Sequence, residues 1–138
     1  MEGHVKVTLL STVTEEGVRQ EIRQTGRGLL RREQDGDRLR LAASDESGRR
    51  SGWDLKFTGA GVTVRSITAG YTLHLDPART TVLRYPAGGA VLELGIRTHR
   101  VLRDLDGPEE GRIEMEYTML SGDKPVSELS LRLQMRKE

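Results

Sequence analysis

Apolar residues in this chain recur at every second position in short runs, each closed by a glycine- or aspartate-rich turn. Val5, Val7 and Leu9 alternate with Lys6 and Thr8. Trp53, Leu55 and Phe57 form another such row, as do Tyr71, Leu73 and Leu75, and later Leu92, Leu94 and Ile96. A period of two places alternate side chains on opposite faces of a strand, so each run predicts a half-buried β-strand. The breaks carry turn chemistry. Asp35-Gly36 supports the positive φ of a tight hairpin, Asp76-Pro77 sets a fixed φ where no ladder donor is needed, and Gly59 to Gly61 and Gly88-Gly89 are further reversals. The count is nine or ten strands joined by sequential hairpins, with no ten-residue helical pattern between them, which argues against parallel βαβ units. The chain is therefore expected to be one all-β domain over residues 1–138: an antiparallel, mostly up-and-down closed barrel of about 8–10 strands. A two-sheet sandwich is the alternative.

Two segments need closer reading. From Val18 to Arg32, Val18, Ile22, Thr25 and Leu29 also fit helical spacing, with Arg19, Arg23, Arg27 and Arg31 along another face. Gly26 and Gly28 weigh against a helix, since each costs about 1 kcal/mol in a helix interior. A strand kinked at glycine accounts for both features. Near the C-terminus, Ile113, Met115, Tyr117 and Met119 face a matching row from Leu129 to Met135 across Gly122-Asp123. A two-residue loop would pair Met119 with Val126 and then set Tyr117 against Glu128, apolar against polar. One extra residue near Ser127-Glu128 restores Tyr117 to Leu129 and Met115 to Leu131, so a β-bulge is predicted there.

Composition then narrows the chemistry. The 138 residues suffice for one core, and with no cysteine there is neither a disulfide framework nor a thiolate metal site. No apolar stretch approaches the ~20 residues of a membrane-spanning helix, and Met1 to His4 begin no signal peptide, so a cytoplasmic setting is expected. Basic and acidic residues, 22 and 21, nearly cancel, and aromatics are only 4%, which argues against a dedicated nucleic-acid binder. Arginines do crowd the first third, at Arg19, Arg23, Arg27, Arg31, Arg32, Arg38 and Arg40.

The order Val62-Thr63-Val64-Arg65, Leu73-His74-Leu75, Tyr85-Pro86-Ala87-Gly88, Leu94-Gly95-Ile96-Arg97-Thr98 and Gly111-Arg112-Ile113-Glu114-Met115-Glu116-Tyr117 resembles the YwiB-like bacterial proteins, a family of domains of unknown function. The resemblance covers nearly the whole chain. It implies a calycin-like (lipocalin-like) barrel and a cytoplasmic bacterial setting, and it implies no activity. Where the family more often has Thr-Pro-Tyr-Gly, this chain has Tyr85-Pro86-Ala87-Gly88.

No catalytic set is apparent. His4, His74 and His99 lie on separate runs without ligand spacing, and His74 is expected to face solvent. Asp104 to Gly111 has its glycine and its glutamates misplaced for a calcium loop and reads as an acidic turn. There is no Gly-x-Ser-x-Gly elbow, and the paired carboxylates Glu15/Glu16, Asp45/Glu46 and Glu109/Glu110 fall in turns. No cofactor or metal is called for. The first functional reading is a non-enzymatic barrel that binds a small apolar or amphipathic molecule in its interior, with Trp53, Tyr71, Tyr85 and Tyr117 as candidate ligand-binding residues, because an aromatic ring with a polar tip can orient a ligand at a barrel mouth. The second is an interaction protein, as a homodimer or as a binder of a protein or RNA partner through the arginine-rich surface.

Overall fold

In the computed structural model, which describes residues 1–138, the alternation becomes ten strands and no helix. They are β1 (Gly3–Glu15), β2 (Val18–Glu33), β3 (Gly36–Asp45), β4 (Arg50–Thr58), β5 (Gly61–Ser66), β6 (Tyr71–Leu75), β7 (Thr81–Ala87), β8 (Ala90–Asp104), β9 (Glu110–Ser121) and β10 (Lys124–Lys137). No helix is long and apolar enough to cross a membrane. All ten form one antiparallel sheet in the order β6-β5-β4-β3-β2-β1-β10-β9-β8-β7. Every pairing is a hairpin except β1 with β10, which joins the first strand to the last.

The sheet curls until its two edges, β6 and β7, lie side by side. They are not joined by a backbone ladder, so the barrel is nearly closed rather than fully closed. At this seam the Thr81 hydroxyl donates to the carbonyl of His74, and the Tyr71 and Tyr85 rings meet at 5.4 Å between centroids. Pro86 offers no N–H on this edge, and an edge strand is where a sheet tolerates proline.

The ambiguous segment is strand β2, sixteen residues long. Its glycines mark the corner where the sheet turns on itself. A Cβ on Gly26 would collide with the carbonyl of Ala42, and one on Gly28 would lie 2.8 Å from the carbonyl oxygen of Arg40. Any side chain there would hold the strands apart, so only glycine permits the fold to bend.

The C-terminal hairpin carries the predicted irregularity one or two residues early. Tyr117 pairs with Leu129, Met115 with Leu131 and Glu114 with Arg132, but the register shifts between Pro125 and Ser127. Val126 is therefore the extra residue, and Met119 faces Ser127 instead of Val126. The Ser127 hydroxyl turns inward to donate to Glu15 at 2.8 Å, which explains why the polar residue takes the paired place. A second shift lies between Thr98 and Arg100, with His99 as the extra residue. It moves the inward row of β8 from the parity of Leu94, Ile96 and Thr98 to that of Val101.

The inward rows interlock into one core of twenty buried apolar side chains. Leu9, Leu55, Ile96, Ile113 and Leu133 fill its centre. Burying each such side chain is worth about 1.5–3 kcal/mol, which makes this filling the main driving force for closure.

Candidate functional site: the open end of the barrel

Sequential hairpins send alternate turns to opposite ends. The β2–β3, β4–β5, β6–β7 and β8–β9 connections share one end, and the β1–β2, β3–β4, β5–β6, β7–β8 and β9–β10 turns share the other. The first end is sealed. Leu105, in the β8–β9 connection, folds back into the core and is almost fully buried. Its carbonyl accepts from the Arg32 guanidinium at 3.1 Å, while Arg32 Nε donates to Asp37 at 2.6 Å. Arg103 approaches the same carboxylate at 3.6 Å and lies 5.1 Å over the Phe57 ring. Two guanidiniums on one buried carboxylate compensate its loss of water. The acidic turn expected at Asp104 to Gly111 is thus the loop that carries this plug.

The second end is open, and all four candidate aromatics have inward register there. Trp53 stands opposite Leu41 and Ser66, Tyr71 opposite Ser66, Tyr85 opposite Leu92, and Tyr117 opposite Leu129. Trp53, Tyr71 and Tyr117 pack on the rim of the core, and Tyr85 is more exposed. Of the large apolar side chains left exposed, all but Val82 lie toward this end, Val91 at 64% and Val18 at 62% being the extremes. Val18, Ile22, Tyr85 and Leu92 lie on inner faces of strands that run beyond the packed core, whereas Val91 faces outward and Ile67 and Val126 lie in a turn and a bulge.

The four aromatics differ in their polar tips. The Trp53 indole N–H donates to Ser51 Oγ at 3.2 Å, and Ser51 in turn donates to Gln24. Trp53 is therefore fixed as wall. The three tyrosine hydroxyls have no hydrogen-bond partner within the chain. Burial pushes the Tyr71 phenol above its ordinary range, and Tyr85 beside it adds to the shift. Burial raises Tyr117 further, with Tyr71 again adding. Both phenols stay protonated and available as donors.

Sequence reasoning missed Thr98. It shares the inward row of β8, stands opposite Tyr117, and is only 6% exposed, yet its hydroxyl has no partner. A buried hydroxyl without a hydrogen bond costs about 1–3 kcal/mol, so such atoms are rare. The break in parity after Ile96 was the only trace of it in the sequence. The seam was missed too: a groove of about 640 Å³ runs along its outer side between Tyr71, His74, Val82 and Arg84.

Other constellations are structural. His99 Nε2 lies 2.6 Å from Thr118 Oγ1, and Thr118 donates to Glu128 at 2.8 Å. The hydroxyl proton is directed at the carboxylate, so His99 is not placed to remove it, and no nucleophile is activated. Asp45 is held below the usual carboxylate range by the Ser47 hydroxyl, and Asp76 by the Ala78 N–H and then Arg79. Such turn carboxylates are the reverse of a general acid. His74 is exposed, as expected, and its imidazole bonds only Thr63. Of the crowded arginines, Arg19, Arg23, Arg27 and Arg31 line the outer face of β2, whereas Arg38 and Arg40 both address Asp54.

The sequence family described as "Domain of unknown function (DUF1934)" matches residues 7–133. The crystal structure of ywiB protein from Bacillus subtilis aligns with a TM-score of 0.76 at 21% identity, over 99% of this chain and 93% of that one. It shares the fold, in keeping with the YwiB-like pattern of the sequence. A structure of EF1p2_mFAP2b bound to DFHBI reaches a TM-score of 0.47 at 11% identity, over 99% of this chain and 93% of that one. A structural-genomics protein of unknown function from Bacteroides ovatus reaches 0.31 at 14% identity, over 98% of this chain and 41% of that one. Neither is close enough to bear on function. Among curated proteins no relative matches significantly.

Proposed function

The chain belongs to the DUF1934 family of domains of unknown function, and from that premise we propose a cytoplasmic, non-enzymatic barrel that binds a small apolar or amphipathic molecule at its open end. One observation carries the reading. Tyr71, Tyr85 and Tyr117 converge on one mouth with unpartnered hydroxyls, above a core already filled by its own side chains. The centre is packed, so the ligand lies across the mouth between the aromatics, with Trp53 as the rigid wall. The opposite end, plugged by Leu105, offers no second way in. The absence of cysteine supports a reducing compartment.

Native mass spectrometry of protein purified from its own host tests this. A retained small molecule above the 15.4 kDa chain mass is expected, lost in Tyr71→Ala and Tyr117→Ala. Bare chain from the host, in wild type and variants alike, would contradict it. The same spectrum reports subunit number.

A second reading, an interaction surface, is favoured by Arg23 and Arg31 on the outer face of β2, which have no ion-pair partner in the chain. An acidic protein partner or RNA held there would dissociate as salt rises. Binding indifferent to salt would remove this route.

A further inference from the structure

The β7–β8 hairpin runs past the core that the rest of the barrel buries. From Tyr85 to Leu92 it contains no charged residue, and Arg84 and Glu93 at its base face each other at 3.5 Å. Tyr85 and Leu92 are exposed on its inner face, Pro86 and Val91 on its outer face. This arm is apolar on both sides and buries neither. Its ladder is unbroken from Thr81–Ile96 to Ala87–Ala90, and Gly88 and Gly89 close it with positive φ, as a type I′ turn requires. A stiff arm of this kind does not fold over its own mouth.

We infer that a second copy of this chain covers the arm: two molecules meet open end to open end about a twofold axis, each hairpin lying against the apolar rim of the other. That rim includes Val18 and Ile22, 62% and 47% exposed on the inner face of β2. Charge selects this occupant. The charged turns around the open end each carry both signs, Glu16 with Arg19, Glu46 with Arg49 and Asp123 with Lys124. A polyanion such as RNA or an anionic membrane is drawn by an excess of cations, and an acidic or basic protein by an excess of one sign. A copy of the same end offers both signs in return. A small molecule at the mouth would reach only the inner face and leave Pro86 and Val91 in water.

The contact is closed. A twofold pairing uses the same patch on both molecules, so assembly stops at two. Pro86 lacks the N–H that edge-to-edge growth along β7 would use, which guards against open-ended addition. The patch is small, so pairing is weak, with a Kd on the order of 10–100 μM. A molecule held at one mouth meets the partner's Tyr85 as its lid, but the pairing goes beyond the ligand reading and needs no ligand.

Sedimentation equilibrium of the full chain from micromolar to millimolar concentration tests the pairing, and a paramagnetic label tests its geometry. The chain has no cysteine, so Ala90→Cys on the hairpin carries a single nitroxide. Mixed with isotope-labelled wild type, it is expected to broaden the Val18 and Ile22 amides and to leave Arg32 and Leu105 sharp. Leu92→Lys on the hairpin and Ile22→Lys on the receiving rim, each checked to melt as wild type does, should each weaken pairing about tenfold or more, because each sets an unpaired charge in the contact. Val82→Lys, exposed but nearer the sealed end, should pair as wild type does. A mass constant at 15.4 kDa up to millimolar concentration would overturn the inference. So would broadening centred on another face, or equal weakening by Val82→Lys. None of these results touches the ligand reading, which stands or falls on the molecule retained from the host.

Discussion

The two ends of the barrel use the same strands for opposite purposes. At the sealed end a charged group, Asp37, is buried, and two arginines and a carbonyl-capped loop are built around it. At the open end the Tyr71 and Tyr117 phenols, kept protonated by burial, have no partner within the chain. The contrast separates the part of the molecule that holds the fold from the part free to interact.

The largest effects should fall at the sealed end. Phe57→Ala, beneath Arg103, is expected to cost about 3–5 kcal/mol in urea unfolding, whereas Tyr85→Ala at the open end should cost less than about 1 kcal/mol. Comparable losses at both sites would erase the distinction. Asp37→Asn, which takes from Arg32 and Arg103 the buried carboxylate they share, should cost about 2–3 kcal/mol.

The phenols give the next effect. The folded pKa of Tyr71 and Tyr117 lies above that of an unfolded tyrosine, near 10. Below that pH neither state ionises and the term is constant. Above it the unfolded chain releases its protons first, so stability falls with rising pH. Urea midpoints should decline above about pH 10, and the decline should be shallower in a Tyr71→Phe/Tyr117→Phe double variant. An unchanged slope would show that these rings are already solvated. The smallest effect belongs to the outer face: Arg40→Ala, an exposed partner of Asp54, should shift stability by no more than about 0.5 kcal/mol.

How much of this was legible depended on what each residue answers to. The strands follow from local alternation, because one buried face enforces a period of two, and that is why even β2 could be assigned against its helical spacing. The bulge in the C-terminal hairpin was legible from pairing apolar with apolar, but its place at Val126 was decided by a contact between Ser127 and Glu15, 112 residues apart. The four aromatics were readable as inward residues, but their convergence was not, since it depends on curling the sheet until β6 meets β7. Leu105 was hidden in an acidic turn. Thr98 looked like any strand threonine, because an unmet hydrogen bond is a property of the assembled interior and not of the residue.

The most direct test of the asymmetry is the two-dimensional amide spectrum of the labelled chain titrated with 2-acetylnaphthalene. The account predicts shifts confined to the open end, at Tyr71, Tyr85, Tyr117 and the Trp53 indole, with Arg32, Asp37 and Leu105 unmoved. Shifts centred on the Leu105 plug, or spread over the outer strand faces with the aromatics silent, would contradict it.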